Sequence, residues 1–320
     1  MNEISIVQGA ELQQATPVWN VVIDRYINNL DVKPKTLDTY RKALKQFNIF
    51  ITAHTGNTRP PEKADLLAYK NYLVEQGKTD STVSAYIVAV RGLFTWLESE
   101  KIYPNIAKGI KGGKSGNKAH KKGWLSVNQV KNVFSEFKGD SLETIRNYAL
   151  FNLLVRTGLR TVEVERANIE DIREEGGQTY LYIQGKGRTS KRDFVKLTDT
   201  ALRPLQEYLQ ARGEKNTTAP LFASLSDKNN GGRLTTRSIS RIIKNSMVKA
   251  GINSRTLTAH SLRHTAITFS LLGGASPQEA KEFARHSDIN TTMIYAHNID
   301  RIKGIPEHSI DSYLAKGGLC

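Results

Sequence analysis

The 320-residue chain is poor in the residues that brace secreted or metal-bound proteins. Its single cysteine is the terminal Cys320, so no disulfide can form within the chain, and this fits a reducing cytoplasm. The thiol itself reads as an idle tail group. No apolar run approaches the roughly 18 residues that a bilayer-crossing helix needs, which argues against a membrane span. The opening "MNEISIVQGAELQQ" lacks the basic start and apolar stretch of a secretory signal. Acidic residues are also outnumbered: 31 Asp and Glu face 46 Lys and Arg, a formal charge of +15. That balance points to a polyanionic partner, most simply nucleic acid, because each neutralised phosphate releases a counterion. It sets a direction only, since ribosomal and membrane-surface proteins share it.

What is present suits a globular protein of two domains, with 39% hydrophobic and 24% charged residues. Residues 1–104 read as a small all-helical domain. Thr16-Pro17 offers a cap and a proline at the first helical position, followed by Val18, Val21, Val22 and Tyr26 at helical spacing. Thr36 opens a second stripe of Leu37, Tyr40, Ala43, Leu44, Phe47 and Phe50. A third helix runs through Leu66, Tyr69, Tyr72 and Leu73 to Gly77, and Ser81 opens a fourth through Val83, Ile87, Val90, Phe94 and Leu97. At this spacing the aromatics read as core. Exposed cations such as Arg41 and Lys45 either meet phosphates or are simply solvated.

Residues 105–123, "NIAKGIKGGKSGNKAHKKG", read as a flexible basic linker. A pure spacer would not need Lys108, Lys111, Lys114, Lys118, Lys121 and Lys122, whereas a tether lying along a DNA backbone would use them. Residues 124–320 form the second domain. Ser126 and Gln129 make a capping box for a helix from about Val127 to Phe137, and another helix runs from about Leu142 to Thr157, ended by Gly158. The alternating stretch "IREEGGQTYLYIQGKGRTSKRDFVKLT" reads as a small antiparallel meander, with turns at Gly176-Gly177 and Gly185 to Arg188. Helices resume after Thr198 and break near Gly213, Gly251 and Gly273-Gly274. The expected fold is mainly α with this one small β-meander.

Several polar residues stand where chemistry is possible. In "TGLRTVEVERA", Arg160 follows a glycine stop and precedes a new helix, whose N-terminus also favours an anion. Glu163 either buttresses that arginine or is an ordinary helix-start carboxylate. Lys186 sits between two glycines at a hairpin tip, where lysine serves as a proton donor when its pKa is tuned. Hairpin tips are also lysine-rich for solubility, and Arg188, Lys191 and Arg192 share this one. "HSLRH" puts His260 and Arg263 on one helical face, with His264 on that face or the next. Two histidines bracketing an arginine suggest an anion site, because guanidinium forks onto phosphate oxygens. "ARHSDINTTMIYAHN" then offers His286 and, on a second short helix, Tyr295. There is no second cysteine and no HExxH pattern, so no zinc site, and no cofactor of any kind, is expected.

Taken in order, Arg160, Lys186, His260-x-x-Arg263, His286 and Tyr295 resemble the signature of the tyrosine recombinases, the lambda-integrase family, in an Xer-like two-domain layout. "TGLRTVE", "GKG", "HSLRH" and "RHSDINTTMIYAH" carry the match, and the resemblance covers most of the chain. One departure is Arg285, where the family commonly has glycine.

The resemblance implies a helical core-binding domain, a linker, and an α+β catalytic domain ending in an oligomerisation helix around Ile310, Tyr313 and Leu314. It implies that Tyr295 attacks a DNA phosphate to give a 3′-phosphotyrosyl intermediate, with Arg160 and Arg263 clamping the phosphate and His286 adding a hydrogen bond. Lys186 would protonate the leaving oxygen, His260 would assist at the tyrosine, and Glu163 and His264 would support. Tyr313 is a rival nucleophile without a histidine box. The implied partners are double-stranded DNA core sites and a homotetramer, in a bacterial, phage or plasmid setting. A directionality or host DNA-bending factor stays open, as do type IB topoisomerase-like relaxation and a catalytically silent DNA-binding factor. The stretch before Thr16 is expected to be too short for a separate arm-binding domain, and Thr236 to Lys249 is the groove-facing candidate.

Overall fold

The computed structural model describes residues 19–56, 58–113, 123–185, 190–303 and 305–316, and it divides the chain into two compact units, Met1–Lys118 and Ala119–Cys320. The first unit contains helices α1 (Trp19–Asn28), α2 (Pro34–Thr55), α3 (Lys63–Glu75) and α4 (Asp80–Ser99). Their apolar faces meet around Leu44, Phe47, Tyr69, Leu93 and Phe94, all essentially inaccessible to water. Burying each such side chain contributes about 1.5–3 kcal/mol. The α1 stripe differs from its expected register: Trp19, Ile23, Tyr26 and Ile27 are buried, whereas Val21 is exposed. Consecutive apolar residues offer more than one helical stripe, and the larger rings take the core. Trp19 sits edge-on to Phe47 and Tyr103. Val18 and Thr16-Pro17 lie outside the described residues.

The stretch read as linker from residue 105 begins as packed chain. Ala107 and Ile110 are buried in the first core, with Lys108 and Lys111 exposed beside them. Two apolar residues three apart are enough to pin a segment whose glycines and lysines suggest a loose one. Lys114, Lys118, Lys121 and Lys122 lie outside the described residues.

The second unit opens with α5 (Val127–Ser135), shorter than its expected end at Phe137. The Ser126–Gln129 capping box is formed: Gln129 N–H donates to Ser126 Oγ at 3.2 Å and Ser126 N–H to Gln129 Oε1 at 2.9 Å. Helix α6 (Leu142–Thr157) runs through the core and packs on α8 (Asp199–Arg212). Short α7 (Thr161–Arg166) leads into an antiparallel sheet of β1 (Ile172–Glu175), β2 (Gln178–Ile183) and β3 (Asp193–Leu197), in that order. Gly176 and Gly177, at φ 57° and 71°, join the paired Glu175 and Gln178 in a two-residue turn that needs positive φ at both positions. Leu181, Ile183, Val195 and Leu197 face the core.

Five helices complete the unit: α9 (Thr236–Lys249), α10 (Ala259–Leu272), α11 (Pro277–Ala284), α12 (Ile289–Lys303) and α13 (Ile305–Lys316). Trp124, just before α5, packs edge-on against Phe269 of α10 at 6.1 Å. A small satellite core of Ile267, Ala284 and Tyr295, with Leu271 and Phe283 against it, ties α10, α11 and α12 together. Among the described residues no helix is long and apolar enough to cross a membrane.

Candidate active site

Three stretches of the second unit carry the polar residues that come together: the α6–α7 turn, α10, and α11 with α12. Helix α6 ends at Gly158, whose φ of 60° is the left-handed conformation of a C-cap. A Cβ there would lie 3.2 Å from the Phe283 ring, which would have to shift by a few tenths of an ångström, and the positive φ favours glycine in any case. The chain then turns through buried Leu159 to Arg160, the extended residue that begins α7. From α10, the buried Arg263 donates from Nη1 to the Gly158 carbonyl at 2.7 Å and from Nη2 to the Ala284 carbonyl. One guanidinium thus fastens the end of α6 to the end of α11 while lying beside Arg160.

Glu163 is fully buried and organises this corner. Its Oε1 accepts from Arg160 Nη1 at 2.8 Å, and its Oε2 from the Arg160 backbone N–H at 2.8 Å and from Arg285 Nη2 at 3.1 Å. Burial pushes the Glu163 carboxyl up, but Arg285 and the Arg160 hydrogen bonds outweigh it and hold the group below its usual range. Glu163 therefore serves as the buttress of Arg160, the first of the two readings its sequence position allows. Burial, with Arg160 and Arg285 as like-charged neighbours, lowers the Arg263 guanidinium to about 9. Three guanidiniums around one carboxylate leave an excess of positive charge in a poorly hydrated pocket, and that favours a doubly contacted anion such as a phosphate.

Tyr295 approaches from α12, with 6% of its surface exposed. Its hydroxyl is hydrogen-bonded to Nδ1 of His264, and the His286 ring stacks near its own at 6.3 Å and 21°. Burial raises the phenol to about 12, with Arg263 and Arg160 pulling the other way. His286, in the break between α11 and α12, is oriented by a 2.9 Å hydrogen bond between Nδ1 and Thr292 Oγ1.

His260 and Arg263 are one helical turn apart on α10, but they differ in burial. His260 is exposed, whereas Arg263 and His264 are buried, and its ring lies edge-on to His264 at 4.6 Å and 85°. Four residues turn a helix by about 400°, so His260 falls nearer His264 than Arg263. The tyrosine hydroxyl accordingly meets His264, which the sequence resemblance places in support.

Lys186 and Arg188 lie outside the described residues. Of their neighbours, Lys191 is committed to buried Asp171 at 2.5 Å. In the first unit Arg41 and Lys45 are exposed on α2. The α13 residues Ile310, Tyr313 and Leu314 are exposed. Among the described residues no three or more His, Cys, Asp or Glu side chains are placed to hold a metal ion. The sequence marks Arg285 as a departure but gives no sign of its partner, because Glu163 lies 122 positions away and only the fold joins them.

The phage integrase family model matches residues 123–301, and that of the phage integrase N-terminal SAM-like domain matches residues 23–101. The tyrosine recombinase XerC of Pelobacter propionicus is 30% identical over 278 residues, covering 85% of this chain and 88% of the relative. The tyrosine recombinase XerD of Oceanobacillus iheyensis is 31% identical over 270 residues, covering 82% and 87%. In fold, the chain is similar to the XerH site-specific recombinase solved on a palindromic difH substrate after cleavage, with TM-score 0.69, 22% identity, and 85% and 80% of the two chains covered. It is also similar to a lambda integrase tetramer bound to a Holliday junction, with TM-score 0.69, 15% identity, and 92% and 81% covered. The chain belongs to the phage integrase family, as a tyrosine recombinase.

Proposed function

We propose that this enzyme is a site-specific DNA recombinase that cuts and rejoins duplex DNA through a 3′-phosphotyrosyl intermediate at Tyr295. The observation that carries the reading is the buried Tyr295 hydroxyl, hydrogen-bonded to His264 and within electrostatic reach of both Arg160 and Arg263. The phenol oxygen attacks the scissile phosphorus, the bond to the 5′-oxygen breaks, and the phosphodiester energy is retained in the protein–DNA bond. Arg160 and Arg263 meet the non-bridging oxygens as their charge grows, and His286 adds a donor. The phenol's proton passes to the His264–His260 pair, and Lys186, by the family resemblance, protonates the leaving 5′-oxygen.

Arg41 and Lys45 in the first unit, with Lys108, Lys111, Lys114, Lys118, Lys121 and Lys122 after them, supply phosphate contacts. On α9 the exposed Arg237, Arg241, Asn245 and Lys249 recur every four residues, a ridge suited to a DNA groove. The exposed apolar residues of α13 suit docking onto a neighbouring protomer in a tetramer, as the lambda integrase neighbour is described on its Holliday junction. Integration, excision or resolution of a mobile element or replicon are the outcomes such a cycle serves.

A randomised substrate lets the protein select its own target sequence. The full chain is incubated in EDTA with a randomised duplex library carrying one nick, and detergent-stable protein–DNA adducts are captured and sequenced. Native protein is expected to enrich one sequence in an adduct, while Tyr295→Phe binds that DNA without forming it. An adduct that survives in Tyr295→Phe moves the nucleophile elsewhere, Tyr313 first; binding without any adduct favours a silent DNA-binding factor.

A further inference from the structure

Position 285 carries a side chain that its backbone disfavours. Arg285 caps α11 at φ 53° and ψ 46°, the left-handed region where a Cβ crowds its own backbone. A non-glycine residue keeps such a conformation when its surroundings hold it there, and these cases gather at functional sites. Its guanidinium makes two hydrogen bonds: Nη1 donates to the Phe283 carbonyl at 2.9 Å and Nη2 to Glu163 Oε2 at 3.1 Å. Its side chain is 13% exposed, against 27% for Arg160 and none for Glu163.

The two cations on Glu163 therefore differ in place. Arg160 comes from the same turn, and its guanidinium reaches the more open side. Arg285 arrives from α11 on the closed side and takes Oε2, leaving Oε1 to hold Arg160 Nη1. A buried carboxylate with one partner removed is strongly destabilised in its charged form.

We propose that Arg285 is a positioning residue: it keeps Glu163 ionised and fixed, and through Glu163 it aims the Arg160 guanidinium at the scissile phosphate. This rests on the reading of Arg160 as a phosphate ligand. The charges facing Glu163 are Arg160 from its own turn, Arg285 from α11 and Arg263 from α10, while Asp193 of β3 acts on Arg285 in turn. Helix α9 and strand β2 also pack on α7. Their Arg237, Arg241, Lys244, Lys249, Tyr180 and Tyr182 make no hydrogen bond or ion pair with Glu163 among the described residues. Arg285 is the largest charge opposing burial of the carboxyl, which agrees with the geometry.

The experiment compares the native chain with Arg285→Gly, Arg285→Lys, Glu163→Gln and the double variant Arg285→Gly with Glu163→Gln. Glycine suits the left-handed backbone, so Arg285→Gly is expected to fold. Adduct formation on the captured nicked duplex is followed from pH 5.5 to 8.5. Arg285→Gly is expected to lose about tenfold or more of the rate at the acid end and to recover toward the alkaline end, as Glu163 regains its charge. Arg285→Lys restores most of the loss, DNA affinity changes little, and in the Glu163→Gln background Arg285→Gly adds no further loss. An equal loss in that background would mean that Arg285 acts without Glu163 and overturns the proposal, as does a native profile in Arg285→Gly.

Melting temperatures of the same variants across pH 5 to 8 give a readout that needs no reaction. Arg285→Gly is expected to lose stability relative to the double variant as pH rises, because its buried carboxyl must then ionise without its main partner. If the two melt in parallel, the proposal fails. If the native chain forms no adduct, the recombinase reading fails instead, and the melting series still decides this one.

Discussion

Tyr295 sits as a neutral phenol hydrogen-bonded to the His264 ring, and its burial makes the phenolate harder to form than in water. A phenol raised from 10.0 to about 12 opposes ionisation by about 3 kcal/mol, so the attack proposed for Tyr295 requires a base in contact with the hydroxyl. His264 is that contact. His264→Ala is expected to slow single-turnover adduct formation by about 100-fold at neutral pH, more than His260→Ala does. A larger loss in His260→Ala would make the exposed imidazole the direct partner. Glu163 has its carboxyl lowered in the folded state, so its contribution to stability is present above the unfolded value of 4.5 and is lost as pH falls through the folded one. Urea midpoints should therefore drop more for the native chain than for Glu163→Gln between pH 5 and pH 3. Arg160, Arg263, His286 and Tyr295 are legible as a set because their order and spacing are unusual. The division of labour between His260 and His264 is not, since both stand in one five-residue string and only packing against α12 decides which is buried.

Caps and breaks are the most readable features at the level of elements, because they act over three or four residues. Ser126 with Gln129, Ser276 with Pro277 and the Gly158 stop all stand where their local chemistry puts them. The α1 stripe and the chain after residue 104 depart from their sequence reading, since burial there depends on which partner surface arrives. Gly158 gives the sharpest test. Gly158→Ala places a Cβ at positive φ and against Phe283, so a loss of about 1–3 kcal/mol in urea unfolding is expected. Because the Gly158 carbonyl anchors Arg263, adduct formation should fall further than stability alone explains. Ser126→Ala, at the exposed cap of α5, should cost about 1 kcal/mol and leave the rate unchanged.

For the whole molecule, the +15 charge makes DNA affinity steeply dependent on salt. Each phosphate contact removed on the α9 ridge, by Arg237→Ala or Arg241→Ala, is expected to reduce the slope of log K against log salt by about 1. An unchanged slope in both would remove α9 from the DNA-facing surface. The basic balance is legible from composition alone, but its partition into an exposed ridge and a cluster of three arginines about the buried Glu163 needs the fold. The chain also carries only three tryptophans, with Trp19 and Trp96 in the first unit and Trp124 packed on Phe269 of the helix that bears Arg263. In a Trp19→Phe, Trp96→Phe variant, all indole fluorescence comes from one ring beside the helix that bears Arg263 and His264. Its emission then reports optically on the surroundings of that one ring, and anion binding beside it can be followed without labelling the protein or cutting any DNA.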